Sequence, residues 1–268
     1  MELTSARNPL LQRIRRAAAA GRPTEDGLIV AEGPHLLEEA LRGRWTIEHI
    51  FVSAGAREHH RELLQKAGAE ITEVSERALA STAATATPQN VLALLRPRQW
   101  VWNDVSTPSA LVVVLDEVQD PGNVGTMIRS AEAFRATGVA LLNGCARVAN
   151  GKVLRATAGS IFRMPFLEGM SQAELIRHVE SDGLKLYALS PRGQTEIANA
   201  DLRSPCALLV GSEANGVSPN LLAKAEAISI PTAKVESLNA AVACSIALYE
   251  TRRQRGEHMS VEHMRIKQ

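Results

Sequence analysis

Aromatic residues make up only 3% of this 268-residue chain, so its core has to be built from alanine, leucine, valine and isoleucine. The three cysteines lie far apart and form no C-x-x-C pair, which argues against a disulfide framework or a zinc site and is typical of a reducing cytosol. The start of the chain is too polar for a secretory signal, and no apolar run reaches the length of a membrane span. We therefore expect a cytoplasmic protein.

Two nucleotide-binding fingerprints are also absent. The sequence contains neither G-x-G-x-x-G, which marks dinucleotide sites, nor G-x-x-x-x-G-K, which marks phosphate-binding loops. The formal net charge of +1 neither supports nor excludes a nucleic-acid partner, so any basic surface has to be local. The opening segment is one candidate, because it holds five arginines against one acid. The arginines are Arg7, Arg13, Arg15, Arg16 and Arg22. Charge alone favours a solvated helix face there.

Strand and helix patterns alternate through the first hundred residues, which predicts a small α/β layer structure. Helices are expected to begin near Pro34, to run from Arg57 to Ala67, and to begin after Ser75. The predicted strands are 28–31, 47–52, 71–74 and 91–95. Residues 96–108 have the composition of a linker. We therefore predict one domain over residues 1–105, including the linker, and a second over 106–268.

The second domain begins with a strand that is predicted to be buried on both faces, because residues 110–115 are continuously apolar and rich in valine. The turn that follows places Asn123 at the entrance of a helix predicted from Val124 to Ala136. Ligands bind at this end of the strands in open α/β sheets. Arg129 lies about two turns into the helix, where a surface ion pair with Glu132 is the simplest interpretation.

Two further stretches follow predicted strands. A buried strand over 206–210 leads into Gly211–Ser218, where two glycines bracket Glu213 and allow close approach of a ligand or another backbone. A strand over 227–230 ends at a proline, and Ser237-Leu238-Asn239 then opens an apolar helix predicted to reach about Tyr249. Taken alone, a serine or asparagine at that position indicates a helix cap.

Together these stretches resemble the SpoU/TrmH family of RNA ribose 2′-O-methyltransferases, within the SPOUT superfamily. The similarity lies in the order and spacing of P-G-N-x-G-x-x-x-R-S-A from Pro121, V-G-S-E-x-x-G-V-S from Val210, and I-P-x-x-x-V-E-S-L-N from Ile230. The segments 5–9 and 30–33 are similar to the family's N-terminal substrate-binding domain. The resemblance implies an α/β fold with a trefoil-knotted parallel sheet of five or six strands, a ribosomal-protein-like α/β domain before it, and a homodimer with the active site at its interface.

The resemblance also implies roles for individual residues. S-adenosylmethionine would be held by the loops that carry Leu189, Ser190, Gly211, Ile230 and Leu238. Methyl transfer to a ribose 2′-oxygen would depend on Arg129, Asn123, Glu213, Ser237 and Asn239, without a metal. Arg129 is either the base of the reaction or a fork-shaped clamp on the substrate phosphate, and a guanidinium is effectively never deprotonated in proteins. Glu213 would hold Arg129 or its neighbourhood in position, while Ser237 and Asn239 would orient the ribose and the cofactor.

Ribosomal RNA is the substrate that the N-terminal domain favours, because such a domain offers a second surface for a large folded RNA. Transfer RNA is the alternative, and a non-catalytic RNA-binding protein of the same fold is a further one. With RNA as the partner, Arg7, Arg13, Arg15 and Arg16 become candidates for phosphate contacts. The arginines of segment 252–255 either add to that surface or complete the last helix.

Overall fold

The structure, a computed structural model, describes residues 3–5, 7–83, 85 and 88–256. The first sheet consists of β1 (Ile29–Glu32), β2 (Thr46–Val52), β3 (Glu70–Glu73) and β4 (Val91–Arg96). Its strand order is β1-β4-β2-β3, with β4 antiparallel to both neighbours and β2 parallel to β3. The helices of this part are α1 (Pro9–Ala20), α2 (Pro34–Arg42), α3 (Ala54–His59), α4 (Arg61–Ala67) and α5 (Glu76–Thr82).

Helix α1 has both ends fixed by its sequence. The Asn8 side chain accepts a hydrogen bond from the Leu10 backbone at 2.9 Å, and Pro9 occupies the first helical position. Gly21 ends the helix in the left-handed conformation, at φ 58°. The helix buries Leu11, Ile14 and Ala17, which leaves its arginines exposed.

The prediction of a single helix from Arg57 to Ala67 is wrong, because this segment forms parts of two helices, α3 and α4. The backbone leaves the helical conformation at His60, with φ −106° and ψ 25°, and separates α3 from α4. Ser53 caps α3 through a hydrogen bond from the Ala56 backbone to its hydroxyl. Helix α3 has no fully buried side chain and meets the core through the partly buried Ala56, whereas α4 buries Leu64.

The second sheet has seven strands over the described residues, and every neighbouring pair is parallel. They are β5 (Leu111–Asp116), β6 (Gly138–Leu142), β7 (Phe166–Met170), β8 (Lys185–Leu189), β9 (Thr195–Glu196), β10 (Cys206–Gly211) and β11 (Glu226–Ser229). The order is β7-β6-β5-β10-β8-β11-β9. The expectation of five or six strands is therefore too low. The edge strand β9 has only two residues, which is too short for a recognisable alternation of apolar and polar residues in the sequence.

The core strands confirm the prediction from apolar runs. Every residue of β5 and of β10 is buried, as expected for a parallel sheet that is covered on both faces. The helices of this part are α6 (Trp102–Val105), α7 (Pro121–Ala133), α8 (Gly151–Ala156), α9 (Gln172–Asp182), α10 (Pro219–Leu222) and α11 (Ala240–Gln254). In the part of the chain that is described, no helix has the length and apolar character needed to cross a bilayer.

Two helices begin at residues other than those predicted. Helix α7 starts at Pro121, three residues before Val124, because Asp120 caps it and proline suits the first helical position. Asn123 therefore lies within the first turn. Helix α11 starts at Ala240, after the cap Asn239, and continues to Gln254.

The two sheets share one continuous hydrophobic core. The Trp45 ring lies edge-on to Phe162, with 5.0 Å between ring centroids, and Gly43 approaches the Phe162 backbone so closely that a Cβ would lie 2.4 Å from its carbonyl oxygen. Trp102 is buried with the second sheet and donates a hydrogen bond to Asp182 of α9 at 2.7 Å. The division at residue 105 stays a prediction.

Candidate active site

The three stretches singled out in the sequence meet in one chain of hydrogen bonds. The Asn123 amide nitrogen donates to a carboxylate oxygen of Glu213. The Asn239 amide nitrogen donates to the Asn123 side-chain oxygen at 3.1 Å. These three side chains come from α7, from the loop after β10 and from the cap of α11, so the two hydrogen bonds join residues that are 90 and 116 positions apart in the sequence.

Asn123 is held by the cap of its own helix. The Asp120 carboxylate accepts a hydrogen bond from the Asn123 backbone at 2.8 Å and lies 3.4 Å from the Lys152 ammonium. The hydrogen bond from the Asn123 backbone is the main reason that the pKa of Asp120 is below its ordinary value, with the charge of Lys152 acting in the same direction. The sequence did not single out Lys152, which lies 32 residues from Asp120 and follows no motif.

Asn239 acts as a helix cap and as a member of the chain at the same time. Its side-chain oxygen accepts hydrogen bonds from the backbones of Ala241 and Val242, at 2.9 and 3.2 Å. Its amide nitrogen is thereby directed to Asn123. The cap fixes the orientation of the amide, so the structural role of this residue supports its place in the site.

The loop that carries Glu213 folds back on the end of β10. A Cβ on Gly211 would lie 1.9 Å from the carbonyl carbon of Gly216, so this position accepts only glycine. The loop is also tied to the end of β5, because the Ser218 backbone donates to the Asp116 carboxylate at 2.7 Å. Asp116 is almost fully buried at that strand end, a role that the sequence did not predict.

The residues expected to hold the cofactor lie at one edge of the sheet. Gly211 and Leu189 end the adjacent strands β10 and β8, and Ile230 follows the last residue of β11. The Ser190 backbone donates to the Ile228 carbonyl at 2.9 Å and joins the β8 and β11 ends. Leu238 is half-buried and directly precedes Asn239. Their contact with a cofactor stays a prediction.

Arg129 and Ser237 lie outside the hydrogen-bonded chain. Both side chains are exposed, and among the described residues Arg129 has neither a hydrogen bond nor an ion pair. The surface pair between Arg129 and Glu132, which is the simplest interpretation of their spacing, does not form, because Glu132 pairs with Arg163 instead. Glu213 makes no hydrogen bond with Arg129; among the described residues it accepts from Asn123, on the same helix as Arg129, and its role in holding Arg129 or its neighbourhood stays a prediction.

The three cysteines are unsuited to nucleophilic chemistry. Burial raises the pKa of Cys244 to about 12 and that of Cys145 to about 11, and it raises the pKa of Cys206 as well. Their thiols therefore stay protonated near neutral pH. Over the described residues, no group of three or more histidine, cysteine or acidic side chains is placed to hold a metal ion.

The contacts of Arg255 favour the interpretation that the arginines of segment 252–255 complete the last helix, and not that they add to an RNA-binding surface. The Arg255 guanidinium donates to the carbonyl oxygens of Ser109 and Leu202, at 2.8 and 3.0 Å, and so joins the end of α11 to the segments that precede β5 and β10. Arg253 pairs with Glu250 on its own helix.

Comparisons with known proteins identify the class to which this fold and site belong. The SpoU rRNA Methylase family matches residues 110–249, about half of the chain, and the MRM3-like substrate binding domain matches residues 8–93. The protein is a member of the SpoU rRNA methylase family.

Individual relatives match nearly the whole chain. An uncharacterized tRNA/rRNA methyltransferase of Synechocystis is 34% identical, over 94% of this chain and 93% of its own length. The 23S rRNA (guanosine(2553)-2′-O)-methyltransferase RlmP of Bacillus subtilis is 30% identical, over 94% and 99%. The AdoMet-bound rRNA methyltransferase of Sinorhizobium meliloti superposes with a TM-score of 0.83 at 30% identity, over 94% of this chain and 97% of that one.

Proposed function

We propose that this protein transfers a methyl group from S-adenosylmethionine to a ribose 2′-hydroxyl of ribosomal RNA in the cytoplasm. The observation that carries the proposal is the hydrogen-bonded chain of Asn123, Glu213 and Asn239, which joins three family motifs at the carboxyl edge of a parallel sheet. The named function of RlmP and the AdoMet-bound state of the Sinorhizobium enzyme support the reaction and the cofactor.

The strand ends suit this cofactor. Leu189 and Ile230 are half-buried and pack against the core, so they offer an apolar wall beside the exposed backbone of the loops. Gly211, Leu189, Ser190, Ile230 and Leu238 would hold S-adenosylmethionine, which supplies an electrophilic methyl group on sulfur.

A trefoil knot around these loops is part of the proposal. It is supported by a close backbone approach at this edge of the sheet between segments that are distant in sequence. Gly193 packs against β11, where a Cβ would lie 2.5 Å from the carbonyl carbon of Ile228. The N-terminal residues would form the ribosomal-protein-like substrate-binding domain, which the match over residues 8–93 supports.

Arg129 acts in this proposal as a clamp and not as a base. A guanidinium stays protonated, but its planar fork of N–H donors matches two oxygens of a phosphate. Because Arg129 is exposed and has no ion-pair partner among the described residues, its donors are available to RNA. Asn123 and Asn239 then orient the ribose, with Glu213 fixing Asn123, and Ser237 contributes from the neighbouring loop.

A methyl-transfer assay tests this function. Methyl-labelled S-adenosylmethionine is incubated with the protein and either ribosomal or transfer RNA, and the modified nucleotide is mapped by its resistance to alkaline hydrolysis. Transfer to a ribose of ribosomal RNA is expected. Methylation of transfer RNA alone would show that the protein is a tRNA ribose 2′-O-methyltransferase. RNA binding without methylation would show that it is a non-catalytic RNA-binding protein.

The basic face of α1 is proposed to guide RNA to this site. Arg7, Arg15 and Arg16 are exposed, and within the described part of the chain Arg13 makes only a long ion pair with Glu25, at 3.8 Å. The end of α1 lies beside the second sheet's helices, since a Cβ on Gly21 would lie 3.0 Å from the Asn150 side chain. Asn150 caps α8, whose Lys152 pairs with Asp120 at the start of α7. RNA phosphates along α1 would thus lead towards Asn123.

Replacing Arg15 and Arg16 together by glutamine should weaken RNA binding with little effect on cofactor affinity. For every phosphate that the variant no longer neutralises, the slope of log Kd against log salt should fall by about 0.7 to 0.9. Binding titrations at several salt concentrations measure this slope. Arg61→Gln, which changes an exposed arginine of α4, serves as the control. An unchanged slope in the double variant would remove α1 from the RNA path.

The exposed face of α11 is proposed to form the homodimer. Val242, Ile246 and Tyr249 expose 47%, 37% and 56% of their surface, and with Phe134 they line a shallow apolar groove of about 360 Å³.

Ile246→Glu should convert a dimer into a monomer in sedimentation analysis, because the glutamate would place a charge in the buried interface. Leu222→Glu, at an exposed leucine of α10, should leave the mass unchanged. A dimeric Ile246→Glu variant would contradict the assignment of this face.

A further inference from the structure

Glu132 is the acidic neighbour of Arg129 on helix α7. The two residues are three positions apart, a spacing at which side chains of opposite charge pair along a helix. Such a pair would occupy the guanidinium that the proposed function assigns to an RNA phosphate. It would also place a negative charge beside the path of that phosphate.

Arg163 prevents this pairing in the structure. Its guanidinium binds Glu132 through two hydrogen bonds, from Nε to Oε1 at 2.6 Å and from Nη2 to Oε2 at 3.1 Å. Both carboxylate oxygens of Glu132 are therefore engaged, in the paired geometry that is strongest between these two groups. Arg129 is left without a partner among the described residues.

Arg163 is in turn fixed by the first sheet's helix α2. Its Nη1 donates to Glu39 at 2.6 Å, and the other Glu39 oxygen accepts from Arg42 at 2.7 Å. Glu39 is only 5% exposed and lies against Gly159, where a Cβ would fall 2.1 Å from its carboxylate. Burial opposes ionisation of Glu39, but the hydrogen bond and charge of Arg163 prevail and lower its pKa.

We propose that Arg163 is a positioning residue for methyl transfer, which withholds Glu132 from Arg129 and so keeps the Arg129 guanidinium open to an RNA phosphate. The inference rests on the proposed function, because it takes the unpaired Arg129 to be the residue that binds an RNA phosphate. Among the described residues, the side-chain hydrogen bonds of Arg163 go to Glu132 and Glu39, and none goes to Arg129 or to the hydrogen-bonded chain of the site. The effect of Arg163 passes through Glu132.

Arg163→Gln should lower kcat/KM for RNA about threefold, which is the scale of a helical ion pair that competes with the substrate. Cofactor affinity should not change. The loss should shrink as salt rises from about 0.05 to about 0.5 M, because exposed charges are screened over shorter distances. Arg203→Gln, which removes an exposed pair with Asp201 before the start of β10, is the matched control.

The double variant Arg163→Gln/Glu132→Gln separates this role from simple packing between the two sheets. Removing the carboxylate frees Arg129 again, so kcat/KM should return close to that of the parent although the link to Glu39 is still broken. A double variant no better than Arg163→Gln would overturn the proposal, as would a single variant equal to the parent.

Folding of the variants is checked by thermal unfolding. Should Arg163→Gln fail to fold, Arg163→Lys provides the second test: it keeps a positive charge near both carboxylates, and its deficit should also disappear when Glu132→Gln is added. A deficit in Arg163→Lys that persists in that double variant would overturn the proposal. The parent is measured in the same assay, and a parent that transfers no methyl group would refute the proposed function and this inference with it.

Discussion

Arg129→Ala should lower the rate of methyl transfer by about a hundredfold to a thousandfold, which is the cost of removing a donor that is aligned with the reacting group. The side chain is exposed on α7 and has no ion pair with the described residues, so its loss should not weaken the fold. The affinity for S-adenosylmethionine should be unchanged, because the residues proposed to hold the cofactor lie on other loops. Single-turnover kinetics and calorimetric titration measure the two effects separately.

Two comparisons make the Arg129 result specific. Arg129→Lys keeps the charge but loses the planar fork, so it should recover only part of the rate. Arg203→Ala removes an exposed arginine at the opposite end of β10 and should behave as the parent. An Arg129→Ala variant within threefold of the parent would remove Arg129 from the reaction.

Asn239→Asp should separate the helix cap from the site. Aspartate can still accept hydrogen bonds from the Ala241 and Val242 backbones, so α11 should keep its stability. It cannot donate to the Asn123 oxygen, and it places a second carboxylate in a chain that already ends at Glu213. Methyl transfer should fall about tenfold to a hundredfold, because a hydrogen bond near a charged group is removed.

The matching variant is Asn239→Ala, which removes the cap as well. It should lose about 1 kcal/mol of unfolding free energy in addition to the activity. Urea unfolding and the transfer assay, applied to both variants, test the distinction. Full activity in a stable Asn239→Asp variant would reduce Asn239 to a cap.

Much of the second sheet could be predicted because its strands are continuous apolar runs. All but the first residue of the run 110–115 lie in β5, and residues 206–210 lie in β10; both strands are buried throughout. Helix ends were less predictable, because a cap depends on one side chain: Asp120 moves the start of α7 to Pro121. The break at His60 was not predicted, because the residues on either side of it give no sequence signal for the end of a helix.

The residues of the site that belong to short continuous sequence motifs could be predicted. Asn123, Glu213 and Asn239 were expected to act together, and the structure brings them into one hydrogen-bonded chain. The partners that depend on tertiary packing were not predictable. The spacing on α7 made a pair between Glu132 and Arg129 the simplest interpretation, but Glu132 pairs with Arg163, which lies 31 residues further along and is held by Glu39 of helix α2.

A crystal structure with S-adenosylmethionine bound tests the central claim most directly. We predict that the cofactor lies at the ends of β8, β10 and β11, with hydrogen bonds to the backbones of Gly211, Ile230 and Leu238, and with its methyl group facing Asn123 and Asn239. A cofactor bound elsewhere on the chain, with none of these backbones in contact, would contradict the account.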